Sequence, residues 1–320
     1  MNRKKTLKIV KYSVLVFLFL LLGGLAWGSF YMLDYSLASK HNGNDEAESY
    51  KYMFENYPNL KPWVDSLKQA SALKDTFIIG NEDKKLHAFY ITAKHPTDKT
   101  AVLVHGYTDN AIRMLMIGYM YSHEMNYNVI LPDLRAHGKS EGKVIQMGWK
   151  DRLDILKWID VSKGIFGDST RMVVHGISMG AATTMMLSGE NLPGNVKCFI
   201  EDCGYTSVWD EFAKELKSRF DLPTFPLMHS TSLLCNIKYG WTFQEASALN
   251  QVKKCHLPML FIHGDADTYV PTWMVYPLYE AKPAPKELWI VHGAEHAKSY
   301  KQNPAIYLSK VKAFTDVYIN

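Results

Sequence analysis

The sequence predicts an α/β fold with a mostly parallel sheet, helices on both of its faces and one membrane-spanning helix in front. From about residue 73 onward, short apolar runs alternate with helix-like segments, the order typical of parallel sheets. The runs are apolar throughout, as in strands that are covered on both faces. An apolar fraction of 47% with 21% charged residues indicates a folded chain and excludes a disordered one.

Eight apolar runs are predicted as strands: Thr76–Ile79, Leu86–Thr92, Ala101–Val104, Val129–Leu131, Met172–His175, Cys198–Ile200, Met259–Ile262 and Leu288–Val291. One amphipathic helix is predicted from apolar residues at helical spacing: Trp149, Leu153, Leu156 and Ile159. A C-terminal helix is predicted to begin after the cap Asn303, with Pro304 in its first turn. In such folds ligands bind beyond the carboxyl ends of the strands.

The N terminus carries a basic tip followed by an apolar run. The tip contains five basic residues, Arg3, Lys4, Lys5, Lys8 and Lys11; without them 31 of the 36 basic residues remain, against 32 acidic ones. The net charge of +4 is therefore local, and no basic stripe predicts nucleic-acid binding. Tyr12 to Leu33 holds no charge and is long enough, at roughly 30 Å, to cross a bilayer. These features predict a single-pass cell-membrane anchor with the remaining chain on the extracytoplasmic side.

The alternative to an anchor is a cleaved signal peptide, because Gly24-Leu25-Ala26 resembles a cleavage site. The protein would then be secreted or periplasmic. We predict an anchor at 1–33, a tether and short helix at 34–72 and the α/β domain at 73–320. The tether is polar from Ser39 to Glu48, with the turn pair Asn42-Gly43. The short helix is indicated by the spacing of Trp63, Leu67 and Ala70.

The cysteines give no metal-binding pattern. The four, Cys198, Cys203, Cys235 and Cys255, form no C-x-x-C pair and no zinc-type spacing with histidines. We predict no metal or organic cofactor, and nothing in the sequence predicts an oligomeric state.

A G-x-S-x-G motif runs from Gly176 to Gly180 with Ser178 at its centre, between a predicted strand and a helical stretch. Glycines on both sides permit a tight turn that exposes the serine hydroxyl above the sheet. The next amide, that of Met179, then lies at a helix N-terminus, where it can stabilise an oxyanion. Ser178 is therefore the predicted nucleophile; the alternative is a glycine turn with a capping serine.

A second strand end reads His105-Gly106-Tyr107. The backbone N–H of Tyr107 could join that of Met179 in cradling the negative oxygen of a tetrahedral intermediate. His105 is more simply a residue that orders this loop than a base.

Two later loops supply the partners that a serine nucleophile needs, a base and a carboxylate that orients it. The loop after Met259–Ile262 holds Asp265 and Asp267, and the loop after Leu288–Val291 holds His292 and His296. The order Ser, Asp, His along the chain accompanies this kind of nucleophile turn.

Two further motifs resemble known sequences. Asp133 to Ser140 is similar to a D-x-R-G-H-G-x-S loop, with Ala136 in place of the usual glycine, and His263 to Pro271 matches H-G-x-x-D-x-x-V-P. With the serine motif, they make residues 73–320 resemble the α/β-hydrolase superfamily, in its serine aminopeptidase-like and monoglyceride-lipase-like branch.

The resemblance implies a triad of Ser178, Asp267 and His296. Asp265 would stabilise its loop, Asp202 is the alternative acid, and His292 is the weaker candidate for the base. Arg135 and His137 are expected to brace their loop.

The resemblance also implies a cap over the site at about 205–245. This segment is rich in apolar residues that could line a pocket for a small-molecule or lipid-like acyl substrate: Phe220, Leu222, Phe225, Leu227, Met228, Leu233, Leu234, Trp241 and Phe243. We predict a carboxylesterase or lipase-like hydrolase. The alternatives are an exported serine aminopeptidase, with Glu201 or Asp202 holding a substrate ammonium, an acyltransferase, and a non-catalytic binding protein.

Overall fold

The computed structural model describes residues 3–39 and 45–319. It contains an eight-stranded sheet made of β1 Lys74–Ile79, β2 Lys85–Ile91, β3 Lys99–Val104, β4 Asn128–Pro132, β5 Arg171–Ile177, β6 Val196–Asp202, β7 Met259–Gly264 and β8 Lys286–Val291. The strand order is β1-β2-β4-β3-β5-β6-β7-β8. Strand β2 is antiparallel to both neighbours, and the other pairs are parallel. The predicted fold class is confirmed, and each predicted strand is present.

The α-helices are α1 Arg3–Leu37, α2 Glu46–Asn56, α3 Lys61–Gln69, α4 Leu115–Tyr119, α5 Asp151–Phe166, α6 Met179–Leu187, α7 Val208–Phe220, α8 Leu227–Tyr239, α9 Ala248–Val252, α10 Val275–Ala281, α11 Ser299–Gln302 and α12 Pro304–Tyr318. The predicted amphipathic helix is α5, although Trp149 precedes its first residue. The predicted C-terminal helix is α12, which begins at Pro304 as expected.

The core lies on both faces of the sheet. In β3, Val102 and Val104 pack into the apolar cluster on one face, whereas Ala101 and Leu103 pack into the cluster on the other. All four side chains are fully buried. Both faces are covered, so the strand sequence shows no alternation between apolar and polar residues.

Helix α1 continues beyond the anchor boundary placed at residue 33. Leu33 and Leu37 lie one turn apart on the same helix face and are only 2% and 1% exposed, because they pack into the α/β domain. The Ile145 amide donates to the Leu37 carbonyl at 2.8 Å, which fixes the end of the helix. Residues 34–37, assigned to the tether, are thus helix packed on the domain. The turn pair Asn42-Gly43 lies outside the described residues.

Most of α1 is exposed and apolar. From Lys5 to Leu37 the helix is long and apolar enough to cross a membrane, judged by length and composition. The segment expected to form a cap contains α7 and α8, between β6 and β7. Helix α8 packs against α1, and the hydroxyls of Ser29 and Ser230 are 2.7 Å apart.

Candidate active site

Ser178 occupies a sharp turn between β5 and α6. Its backbone is in a rare conformation, with φ +58° and ψ −120°. A Cβ atom on Gly176 would lie 2.1 Å from the Gly180 carbonyl oxygen, and one on Gly180 would lie 2.0 Å from that of Val104. Only glycine fits at either position, so the motif is dictated by close backbone packing. The turn places Ser178 at the carboxyl end of the central strands.

The predicted serine, histidine and aspartate lie in one hydrogen-bonded chain. Ser178 Oγ is 2.8 Å from His296 Nε2, and His296 Nδ1 is 2.7 Å from Asp267 Oδ2. Because an ionised carboxylate can only accept, Nδ1 carries the proton and Nε2 is free to accept the serine proton. The arrangement is that of a nucleophile, a base and an orienting acid.

Asp267 is held ionised by its surroundings. Its Oδ1 accepts hydrogen bonds from the amides of Tyr269 and Val270, both at 2.9 Å. Burial by itself would raise the pKa of Asp267, but hydrogen bonds from His263 and His296 outweigh burial and lower the pKa to about 2. His263 Nε2 is 3.5 Å from Asp267 Oδ2. His263 begins the H-G-x-x-D-x-x-V-P motif, but the sequence predicts no role for its side chain.

The alternative acid, Asp202, is engaged elsewhere. It accepts hydrogen bonds from the hydroxyls of Ser299 at 3.1 Å and Tyr307 at 3.0 Å. Burial raises its pKa to about 6. Its backbone carbonyl contributes to the site by accepting the Ser178 amide at 2.8 Å. The geometry therefore pairs His296 with Asp267.

The alternative base, His292, lies on the surface. Its side chain is 99% exposed, and its Nδ1 is 2.8 Å from Asp265 Oδ2. Asp265 also accepts the Gly293 amide at 2.6 Å, so it joins the β7 and β8 loops as expected of a loop-stabilising residue.

The two predicted oxyanion donors line the same cavity as Ser178. Met179 is the first residue of α6, so its N–H has no acceptor within the helix. Tyr107 lies opposite, and its phenol donates to the Ser36 carbonyl at 2.9 Å. Both residues therefore line the cavity that contains the Ser178 hydroxyl, and their role as oxyanion donors stays a prediction.

Two buried histidines brace the loop that carries Tyr107. His105 Nε2 accepts the Leu134 amide at 2.9 Å, and His137 Nε2 accepts the Thr108 amide at 3.2 Å. Burial lowers the pKa of both imidazoles, that of His137 to about 3. They are neutral and already hydrogen-bonded, which supports a bracing role.

The loop from Asp133 to Ser140 is tied to the rest of the domain. Arg135 is buried and binds the carboxylates of Asp154 and Glu82, the latter at 2.7 Å. Ala136, which replaces the usual glycine, has φ +64°. An alanine can adopt this left-handed conformation at a cost of about 1 kcal/mol, so the loop keeps its shape.

The cavity above Ser178 has a volume of about 240 Å³. Helix α7 contributes Phe212 and three charged residues spaced four apart, Glu211, Glu215 and Arg219. Helix α1 contributes Tyr35 and Ser36, residues that the sequence analysis placed in a tether. The active-site wall therefore includes the N-terminal helix.

Glu211 is the unexpected charged group in this cavity. It is 3% exposed, and neither of its carboxyl oxygens has a hydrogen-bond partner among the described residues. Burial, reinforced by Glu215 and Asp267, raises its pKa to about 8. Glu201, which the peptidase alternative invoked, instead accepts the Gly204 amide at 2.9 Å. The signal for Glu211 in the sequence is its position four residues before Glu215, on a helix of the cap.

Cys203, Asp267 and His296 bring potential metal-ligand atoms within 4.8 Å of one another. Burial raises the pKa of the Cys203 thiol, and thiolate is the form that binds metals. Asp267 and His296 are hydrogen-bonded to each other. This set of donors fits a proton relay better than a metal site.

The chain matches the model of the prolyl oligopeptidase family over residues 119–320. It is 31% identical to the Bacillus subtilis protein YqkD over 227 residues, which are 71% of this chain and 74% of that protein. It is 24% identical over 208 residues to YNL320W, described as a membrane protein of Saccharomyces cerevisiae, covering 65% of this chain and 67% of that one.

Two solved structures are similar. The Pyrococcus furiosus esterase Pf2001 has a TM-score of 0.64 and 27% identity, over 79% of this chain and 96% of that chain. A puromycin-hydrolyzing peptidase of Mycobacterium tuberculosis has a TM-score of 0.61 and 17% identity, over 78% of this chain and 39% of that one. The second likeness shows the fold. The fold, the Ser178 turn and these matches agree with the predicted superfamily: the chain belongs to the prolyl oligopeptidase family of α/β serine hydrolases.

Proposed function

We propose that the protein is a membrane-anchored serine hydrolase that cleaves acyl esters through Ser178, His296 and Asp267. The observation that carries the proposal is the continuous chain of hydrogen bonds from Ser178 Oγ through His296 to Asp267, at 2.8 and 2.7 Å. This chain ends in a cavity that could hold an acyl group beside the hydroxyl.

The chemistry follows from the position of each proton. His296 Nε2 takes the proton of Ser178 as Oγ attacks the ester carbonyl carbon, and the amides of Tyr107 and Met179 hold the resulting oxyanion. His296 then protonates the departing alcohol, which leaves an acyl-serine. Water gives a proton to His296 and its oxygen to the acyl carbon, so the acid is released and Ser178 is restored.

An ester is the favoured substrate because of the cavity lining and one relative. Phe212, Met147 and Val270 supply apolar surface beside the serine. The esterase Pf2001 is 27% identical and is matched over 96% of its length. We expect the cavity alone to accommodate a small or medium acyl group such as butyrate.

Peptidase activity is the second candidate, favoured by Glu211. A buried carboxyl without a partner beside the nucleophile could pair with the α-ammonium of a peptide substrate. The ammonium would then satisfy the carboxylate and lower its pKa. The matching family model points to the same class of reaction.

Hydrolysis by the full-length chain in detergent distinguishes these functions. Wild type, Ser178→Ala and Glu211→Gln would be given p-nitrophenyl butyrate and alanyl-p-nitroanilide. We expect the wild type to hydrolyse the ester and Ser178→Ala to lose this activity while its unfolding temperature is unchanged. Glu211→Gln should retain esterase activity. A preference for the anilide that Glu211→Gln abolishes would select the peptidase, and ester hydrolysis by folded Ser178→Ala would overturn the proposed nucleophile.

We also propose that residues 1–33 anchor the protein, with the domain from residue 73 on the extracytoplasmic side. The support is helix α1, which from Lys5 to Leu37 is long and apolar enough to cross a membrane. The mass of the C-terminally tagged protein in the membrane fraction tests this. A full-length mass supports the anchor, whereas loss of the first 26 residues would select the cleaved, secreted alternative.

A further inference from the structure

The cap contacts helix α1 at a position whose depth in a bilayer can be calculated from the length of the helix. Side chains of α8 contact α1 at Ser29 and Phe30: the two serine hydroxyls are 2.7 Å apart, and Lys238 Nζ lies 5.5 Å from the Phe30 ring centre. A bilayer core of roughly 30 Å corresponds to about 20 helical residues. Counted from Lys11, the last basic residue of the tip, this length ends near Tyr31. The contacts with α8 therefore fall at the outer edge of the hydrocarbon.

Helix α8 also exposes large apolar side chains. Leu233 and Ile237 lie one turn apart and are 60% and 73% exposed, and Phe225 just before the helix is 71% exposed. Soluble surfaces seldom place such side chains next to one another without a partner. They belong to the element that touches α1 at the depth of the membrane boundary. A bilayer surface would cover them.

A narrow cleft lies between α1 and the cap. It is lined mainly by apolar side chains from both, including Met32, Leu227, Met228, Phe220 and Phe243, and we call it the α1–cap cleft. Tyr35, Ser36 and Arg219 line both this cleft and the cavity above Ser178. The cleft holds about 40 Å³ and shares this wall with the cavity, so an aliphatic chain that parted α1 from the cap would approach the nucleophile.

We propose that α8 lies in the membrane interface and that the α1–cap cleft accepts the acyl chain of a bilayer lipid. This inference rests on the proposed function, because it names the source and class of the substrate. Helix α1 then holds the protein in the bilayer, and its last turns form one wall of the path to Ser178. An ester embedded in the membrane would reach the nucleophile without crossing water.

The depth of α8 is measured with the full-length protein in phosphatidylcholine nanodiscs. The native cysteines are buried, so a fluorophore can be attached to Leu233→Cys or Ile237→Cys. Brominated lipids should quench both labels. Val317→Cys, on α12 and 66% exposed in the wild type, is the matched control and should not be quenched. Quenching at 233 and 237 no greater than at 317 would overturn the proposal.

The function of the surface is measured with two esters. Leu233→Glu with Ile237→Glu should lower hydrolysis of 4-methylumbelliferyl oleate in nanodiscs by about tenfold, because charges there disfavour seating in lipid. Hydrolysis of soluble p-nitrophenyl butyrate should not change, and Val317→Glu should affect neither. Equal rates on the embedded ester would contradict the inference alone. Absence of all ester hydrolysis by the wild type would contradict the proposed function, and quenching would still decide the position of α8.

Discussion

The loops after β7 and β8 contain two aspartate–histidine pairs, and in each pair the aspartate follows β7 and the histidine follows β8. Asp267 and His296 are 2.7 Å apart, and Asp265 and His292 are 2.8 Å apart. The inner pair is buried on the aspartate side and contacts Ser178, whereas the histidine of the outer pair is 99% exposed. Proximity of the two residue types is therefore not what distinguishes a relay from a surface contact.

The difference lies in what surrounds each carboxylate. Asp267 accepts two backbone amides and lies 3.5 Å from His263, all within a buried loop. Asp265 accepts one amide and faces solvent. In low dielectric the inner carboxylate interacts strongly with the imidazole, whereas water screens the outer pair. Paired substitutions in the two sites test this distinction.

Replacing the two histidines should give the largest contrast. His296→Ala removes the base for Ser178 and should lower kcat by about 10⁶-fold. His292→Ala should change kcat less than about twofold, since it removes a screened surface contact. Steady-state kinetics on p-nitrophenyl butyrate measures both. Comparable losses in the two variants would mean that the assignment of the base is wrong.

Replacing the two aspartates should also lower kcat much more at the inner pair than at the outer pair, but by a smaller factor than replacing the histidines. Asp267→Asn no longer fixes the His296 tautomer and should lower kcat by about 10⁴-fold, with little change in KM. Asp265→Asn serves as the control for disturbance of the β7 loop and should keep near-normal kcat. A kcat for Asp267→Asn within tenfold of the wild type would return Asp202 to consideration.

His263 should have an intermediate effect because it acts through Asp267. His263→Ala removes one donor from the carboxylate, and slight misplacement of His296 should lower kcat by about 10- to 100-fold. A merely structural role would lower stability without moving the pH profile. We therefore expect the acid limb of the plot of kcat against pH to move to higher pH in His263→Ala. An unchanged acid limb would argue against a positioning role.

Acid stability should give the smallest contrast. The pKa of Asp267 is lowered to about 2 in the folded chain, from about 3.9 when unfolded, so its contribution to stability is present above pH 4 and is lost as pH falls towards 2. The pKa of Asp265 is also lowered, by His292. Salt should weaken the contribution of exposed Asp265 but spare that of Asp267. This difference is tested by measuring the unfolding temperatures of Asp265→Asn and Asp267→Asn between pH 2 and 6. The measurements are made with and without about 0.5 M NaCl, which screens exposed charges.

The sequence predicted the sheet and the turn at Ser178 because both depend on local patterns. Strands buried on two faces are apolar along their whole length, and the turn at Ser178 requires glycine at 176 and 180. The two aspartates could be ranked only through a family resemblance, because burial and the contact with His263 are tertiary features.

The sequence did not reveal the two parts of the site that come from distant segments. Leu33 and Leu37 read as the end of an apolar run and the start of a tether, although they are core residues. Glu211 reads as one charge among several on an amphipathic helix, and only docking of the cap buries it. A protein begun at residue 40 would lose part of its core, so a truncated protein should retain residues from Ser29 onward.

Reaction with a fluorophosphonate, followed by mass spectrometry of the digested protein, tests the central claim most directly. We expect one adduct on Ser178 in the full-length wild type, a much slower reaction in His296→Ala, and a normal rate in His292→Ala. A folded wild type that forms no adduct, or an adduct on another residue, would contradict the assignment of Ser178 as the nucleophile.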